Sequence, residues 1–281
     1  METINRLKLR WGIAPSATVD LVILNTAVFF AVLILSWIPF VNELLPLLYL
    51  KPAWNDFLWQ PWSLFTYIFM HAGFFHLLGN MLWLYFIGTL LEDLIGGRHI
   101  NRLFVFGGLA GGLLFLFAYN LLPMFSSQPM SPMVGASGGV TAVILAAAVF
   151  SPRYTIYLFG VVPIQLRWIA AIRVVSDLLG LGDGMNDGGQ LAHLAGAGFG
   201  YLYVLHMRGQ IRLPSLPGKK RKPIRNIKVN INRPEGGSKQ ARKDRRPNQD
   251  EIDAILDKIN QSGYDSLSRE EKETLFRASD S

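Results

Sequence analysis

LFVFGGLAGGLLFLFAYNLL, residues 103–122, is a run of 20 residues without a charged side chain. A hydrocarbon core of about 30 Å is crossed by about 20 mainly apolar helical residues, so the run reads as a membrane-spanning helix. Gly107, Gly108, Gly111 and Gly112 give it Gly-x-x-x-Gly spacing. Glycine at this density weakens a helix in water, but in lipid it lets helix backbones approach closely. A segment built this way belongs in a bundle, and its partners lie on either side of it.

On the N-terminal side are the apolar runs 19–40 and 77–91, the second preceded by an apolar lead over 62–70. On the C-terminal side are 134–150 and the Gly- and Ala-rich run 191–207. Residues 163–181 are less clear, because Arg167, Arg173 and Asp177 interrupt them. An Arg at a helix centre costs about 3 kcal/mol on the insertion scale, and each Leu, Ile, Phe or Val returns about 0.3 to 0.6, so this segment roughly breaks even. Arg173 and Asp177 are four apart and share a helix face, and packing the pair against a neighbouring helix lowers the cost. The expectation is an all-α polytopic membrane protein, a bundle of six transmembrane helices over residues 19–207.

Charge is distributed to match. The chain of 281 residues is 51% hydrophobic and carries a net charge of +7. Residues 1–207 hold 9 Lys+Arg against 9 Asp+Glu, residues 208–249 hold 14 against 2, and residues 250–281 hold 4 against 9. An uncharged apolar body with a basic strip and an acidic end is not a soluble-domain layout. The absence of cysteine excludes a disulfide scaffold, a thiolate metal site and a cysteine nucleophile. Basic residues gather in cytoplasmic loops. With the N-terminal segment 1–18 inside, the inner segments carry Arg6, Lys8 and Arg10, then Arg98 and Arg102, then Arg153 and Arg167, while the outer ones carry Lys51 alone. Both termini are therefore expected in the cytoplasm, with the first helix a retained anchor rather than a cleaved signal peptide. Internal repeats of solenoid or propeller period are not apparent.

Residues 208–249 contain Pro214, Pro217, Pro223, Pro234 and Pro247 among their basic residues, so they are expected to form a disordered linker. Such a strip is suited to anionic lipid head groups, at about 1 kcal/mol per basic residue. No nucleic-acid partner is expected. In 250–281, Ile252, Ile255, Leu256 and Ile259 mark one helix face, and Gly263 is placed to stop the helix. Ser268 and Glu271 have capping-box spacing before Leu275 and Phe276, which suggests a small helical tail.

Polar groups at membrane depth are costly unless they are paired or used. His76, Asn80, Ser137 and His193 stand out. In the six-helix topology the second, fourth and sixth spans all run inward from the outer face, and these residues lie near their starts. An imidazole beside a hydroxyl, with further donors nearby, suits acyl transfer: the base takes the serine proton and the donors hold the oxyanion. Ser137 sits in Gly135-Ala136-Ser137-Gly138-Gly139, at a helix start where unpaired amides and the positive dipole end are available. His76 and Asn80 are four apart and share a face. Taken singly, each signal has an ordinary explanation: Gly-x-Ser-Gly marks tight helix packing, and a membrane His or Asn serves as interhelical glue. Their shared depth on three helices favours chemistry. His99, His206 and His71 fall in an inner loop, at an inner helix end and at the outer boundary, and lack such partners. Gly196 and Gly200 bring the sixth helix close to the fourth. No metal or cofactor is expected.

Residues 55–207 resemble the rhomboid family of intramembrane serine proteases, here with a C-terminal cytoplasmic tail. His71-Ala-Gly-Phe-Phe-His76-Leu-Leu-Gly-Asn80 resembles the family's His-x-x-x-Asn helix, Gly135-Ala-Ser137-Gly138 its nucleophile motif, and Ala192-His193-Leu-Ala-Gly196 its general-base helix. The resemblance implies a Ser137–His193 dyad without an acidic third member, and an oxyanion hole to which His76 and Asn80 contribute. It also implies transmembrane protein substrates cut near the outer face, a fifth helix that gates the cavity, and residence in a bacterial plasma membrane. Two positions depart from the family pattern: Ser63 follows Trp62 where Arg is common, and Thr141 replaces an aromatic that packs on the histidine. Two alternatives carry different expectations. An inactive rhomboid-like protein would bind client helices without cutting them, and would be marked by loss of the Ser or His. A small-solute transporter would carry an inverted repeat or paired broken helices, which the sequence lacks. Oligomeric state, physiological substrate and cleavage preference are open at this stage.

Overall fold

The computed structural model describes residues 16–126, 131–158, 160–182, 186–211, 249–262, 266–268, 270–272, 274 and 278. The expectations for Arg6, Lys8 and Arg10, for most of the basic linker, and for Gly263, Leu275 and Phe276 lie outside those residues. The chain divides into two compact units, Met1–Ser215 and Leu216–Ser281.

Six helices of 14 residues or more organise the described part of the first unit: α1 Ala17–Leu35, α2 Phe74–Ile95, α3 Gly97–Leu121, α4 Ser137–Phe150, α5 Leu166–Gly180 and α6 Asp187–Met207. Among the described residues α1, α2 and α3 are long and apolar enough to cross a membrane. Helices α4 and α5, of 14 and 15 residues, extend only about 21 to 23 Å at 1.5 Å per residue. Ile34, Trp59, Phe75 and Leu179 are exposed. Large apolar side chains displayed this widely belong against lipid rather than water, and the protein is an integral membrane protein.

Several boundaries differ from the sequence reading for local reasons. The first run was expected to continue to residue 40, but α1 ends at Leu35, and a short helix begins separately at Pro39. Proline lacks the amide a continuing helix needs, and it forces the preceding Ile38 into extended backbone, φ −91° and ψ 111°. The fifth run was expected to be helical from residue 163. Instead Thr155–Leu158 (β1) and Val162–Gln165 (β2) form an antiparallel hairpin, with Pro163 opposite Tyr157, and α5 starts after it. β-branched side chains on both strands, Tyr157 on the first, and Gly160 at φ +74° between them favour the hairpin. The all-α expectation therefore gains one small sheet.

Helix α4 is the axis of the bundle. Of its 14 residues, Gly138 to Ile144 and Ala146 to Ala148 are buried, so it is enclosed on nearly every side. Its small residues set the spacing. A methyl group on Gly107 would overlap the Ala142 side chain, one on Gly139 would overlap the Phe104 carbonyl, and one on Gly200 would overlap the Ala142 carbonyl. Helix α1 is attached differently. The Glu92 carboxylate, on α2, accepts from the Ala17 and Thr18 amides at 2.7 and 2.9 Å and from the Ser16 hydroxyl at 2.8 Å. It thereby satisfies amides that a helix start leaves unpaired.

In the second unit, Gln249–Ser262 forms helix α7, with Ile255 and Leu267 buried. Ser268 and Glu271 make the two reciprocal capping-box bonds, 2.7 Å from the Ser268 amide to Glu271 and 3.2 Å from the Glu271 amide to the Ser268 hydroxyl. The Ser268 amide, with Lys258 Nζ at 2.9 Å, holds the Glu271 carboxyl below the usual carboxylate range.

Candidate active site

Ser137 is delivered to the first position of α4 by a short extended segment fixed at both ends. Leu50 and Met133 exchange backbone hydrogen bonds of 3.1 and 2.8 Å, and the Gly135 amide donates to the Tyr67 carbonyl at 2.9 Å. Gly135 has φ +132°, a region that L side chains rarely adopt. A Cβ there would lie 2.8 Å from His76 Cε1. The missing side chain therefore lets the His76 ring sit against the backbone just before the nucleophile candidate.

The α1–α2 loop, to which this segment is bonded through Leu50 and Tyr67, is anchored without a basic residue after Trp62. The Trp62 indole donates to the Leu47 carbonyl at 2.9 Å, the Thr66 hydroxyl donates to the Leu48 carbonyl at 2.8 Å, and Ser63 is buried.

His193 lies in the second turn of α6, because that helix begins at Asp187, four residues before the predicted run. Gly196, one turn below, touches α4 directly: a methyl group there would overlap the Gly138 carbonyl oxygen. Ala192 fits into the Gly111 notch of α3, where a Cβ on Gly111 would be 3.0 Å from the Ala192 Cβ. These contacts fix how α6 presents His193 beside the start of α4.

Ser137, His193, His76 and Asn80 all line one cavity of about 550 Å³. The sequence therefore identified four residues, on three helices, that the fold brings together. Among the described residues no direct hydrogen bond joins Ser137 to His193. Asn80 Nδ2 donates to the His76 carbonyl of its own helix at 2.9 Å, which commits one amide hydrogen and leaves the other for the cavity. The Ala72 amide approaches His76 Nδ1 at 3.4 Å, which leaves Nε2, the nitrogen beside Gly135, as the donor of a neutral ring. The remaining histidines sit elsewhere. His99 bonds Tyr203 at 2.8 Å, His206 lies 3.3 Å from the Ile211 carbonyl, and His71 stacks edge-on to His76 at 5.4 Å without lining the cavity.

A carboxylate missed in the sequence reading completes the arrangement. Asp177 Oδ1 is 2.8 Å from His193 Nδ1, with both side chains buried. Arg173 Nε, one turn earlier on α5, lies 3.2 Å from Asp177 Oδ2. The sequence had paired Arg173 with Asp177 and packed them against a neighbouring helix, but it had not identified the histidine on that helix, and the resemblance implied no acid at all. Thr141, at a position where the family pattern often has an aromatic, is buried and lines the cavity.

A family model described as the Rhomboid domain matches residues 58–210, and a family of unknown function, DUF6576, matches residues 239–281. The chain is 28% identical to RHOMBOID-like protein 12, mitochondrial, of Arabidopsis thaliana, over 48% of this chain and 43% of that protein. It is 35% identical to RHOMBOID-like protein 1 of the same plant, over 54% and 36% respectively. It is 39% identical to human Rhomboid-related protein 3, over 31% and 19%. The chain thus spans less than half the length of each of these relatives.

Proposed function

The chain belongs to the rhomboid family, and from that premise we propose that it is an intramembrane serine endopeptidase that cuts transmembrane segments of other proteins. Ser137 is the nucleophile and His193 the general base. The observation that carries this reading is the single cavity lined by Ser137, His193, His76 and Asn80, drawn from three helices. His193 takes the Ser137 proton as the hydroxyl attacks the scissile carbonyl, and returns it to the leaving amine. The gap between hydroxyl and imidazole closes with substrate bound, as is common for catalytic hydrogen bonds that are long in the free enzyme. The developing oxyanion is met by His76 Nε2–H, the free amide hydrogen of Asn80 and the first-turn amides of α4, aided by the dipole of that helix.

The same reading takes all six helices α1 to α6 as spans, with both termini cytoplasmic, in a plasma membrane of bacterial type. The loop charges support that orientation. The basic linker then lies along anionic head groups of the inner leaflet. Substrates are membrane proteins whose helices unwind next to the cavity.

Purified protein should hydrolyse a transmembrane reporter, and a fluorophosphonate should label it. Ser137→Ala and His193→Ala should each abolish cleavage with folding intact. Labelling that persists in Ser137→Ala would refute the assignment. Client binding without any hydrolysis by the unaltered protein would instead support a non-catalytic helix binder.

A further inference from the structure

We infer that Asp177 is a positioning residue for the base: its carboxylate fixes the ring orientation and tautomer of His193, giving a Ser–His–Asp arrangement whose acid is carried on α5. The inference rests on the protease reading above and adds a residue to it. Three observations converge on it. The 2.8 Å contact uses Nδ1, so an ionised carboxylate accepts the Nδ1 proton and leaves the Nε2 lone pair to receive one from the nucleophile. Asp177 is only 6% exposed and His193 7%, so water does not compete for the bond. On α5 the other buried side chains are Leu166, Ile169 and Ala170, which places Asp177 on the inward face of an otherwise apolar stripe. An unpaired carboxylate in that position would be strongly unfavourable.

Arg173 supports the arrangement from the same helix. Its guanidinium nitrogen Nε lies 3.2 Å from the second carboxylate oxygen, so the carboxylate has an opposite charge beside the oxygen that His193 does not use. Thr141, which lines the same cavity as His193, is too small to hold an imidazole ring by stacking. When His193 becomes an imidazolium during attack, Asp177 also stabilises that charge, and no proton need pass to the carboxylate.

The test uses the full chain in detergent, with ¹⁵N-histidine labelling and cleavage of a transmembrane reporter. In the unaltered protein His193 should appear as the Nδ1–H tautomer, identified by the signal lost in His193→Gln. Asp177→Ala should lose that signature and lower kcat by about 100- to 10,000-fold, with KM changed less than threefold. Asp177→Glu should recover part of both. Asp177→Asn keeps the side-chain shape if the alanine variant unfolds. Its amide can donate to Nδ1, so the ring should switch to the Nε2–H tautomer and kcat should fall similarly. An unchanged His193 tautomer in Asp177→Asn, or kcat within threefold of the unaltered protein in either the alanine or the asparagine variant, would overturn the inference. If the unaltered protein cleaves nothing, the protease reading fails, while the tautomer shift still decides whether Asp177 orients His193.

Discussion

Replacing Gly196 with alanine adds a single methyl group at the closest approach of α6 to α4. That methyl would overlap the Gly138 carbonyl oxygen, a backbone atom one residue after Ser137. A flexible side chain could swing aside, but this carbonyl is fixed by its helix, so the two helices must separate. In a helix interior alanine is favoured over glycine by about 1 kcal/mol. Overpacking a closed core costs about 1–3 kcal/mol, and with backbone as the obstacle the upper part of that range applies. The expected net loss of stability is about 1–2 kcal/mol. Function should suffer more, because a displacement of about 1 Å between reacting groups costs on the order of 100-fold in rate, and residue 196 is one turn from His193. Gly198 provides the control. It lies on the same helix, with no atom within 4 Å of an added Cβ, so Gly198→Ala keeps the propensity gain without the clash. Thermal unfolding in detergent and the rate of reporter cleavage should be measured for both variants. Gly196→Ala should melt earlier and cut far more slowly, and Gly198→Ala should match or exceed the unaltered protein. Equal melting and equal rates for the two variants would refute the close-packing argument.

Two other substitutions test how the site and the bundle are held. Gly135→Ala places a methyl 2.8 Å from His76 Cε1 at a φ of +132°; it should displace the proposed oxyanion donor and lower kcat at least tenfold, measured by cleavage and by the rate of fluorophosphonate labelling. Glu92→Ala removes the carboxylate that receives two amides and a hydroxyl at the start of α1; with hydrogen bonds to charged groups worth about 1.5–3 kcal/mol when buried and less when half-exposed, it should destabilise by about 1–3 kcal/mol, seen as a lower Tm, while turnover of the folded fraction is unaffected.

The fold was legible where burial leaves a uniform mark. A helix in lipid is apolar all round, so runs such as 103–122 declare themselves by length alone, and the helices α2 and α3 extend the expected runs at both ends or one end. Legibility fails where backbone chemistry overrides composition. Residues 163–165 are apolar enough to pass as helix, yet Pro163 cannot donate an amide and pairs across from Tyr157 in a strand. Residues 36–40 fail in the same way at Pro39. Hydropathy counts side chains and does not register an amide that is absent.

The four residues of the candidate site stand out in the sequence for a different reason. His76, Asn80, Ser137 and His193 are conspicuous because each is a polar group that lipid would penalise, and because in the six-span reading alternate helices enter from the same side. Depth is a property of one helix and can be read from its own residues. Contact is a property of two, and it depends on rotation as well as depth. Arg173 and Asp177 were visible as a charged pair on one face of α5, and their spacing accounted for each other so well that no third partner was needed. What the sequence does not encode locally is which way that face turns. Leu166, Ile169 and Ala170 settle it by burying the stripe that ends in Asp177, and Gly196 settles the opposing rotation by seating α6 on Gly138. Only with both rotations fixed does the carboxylate meet the imidazole rather than solvent or lipid. A lone pair of opposite charges in a membrane helix is thus an incomplete account of either charge until the helix facing it has been rotated into place.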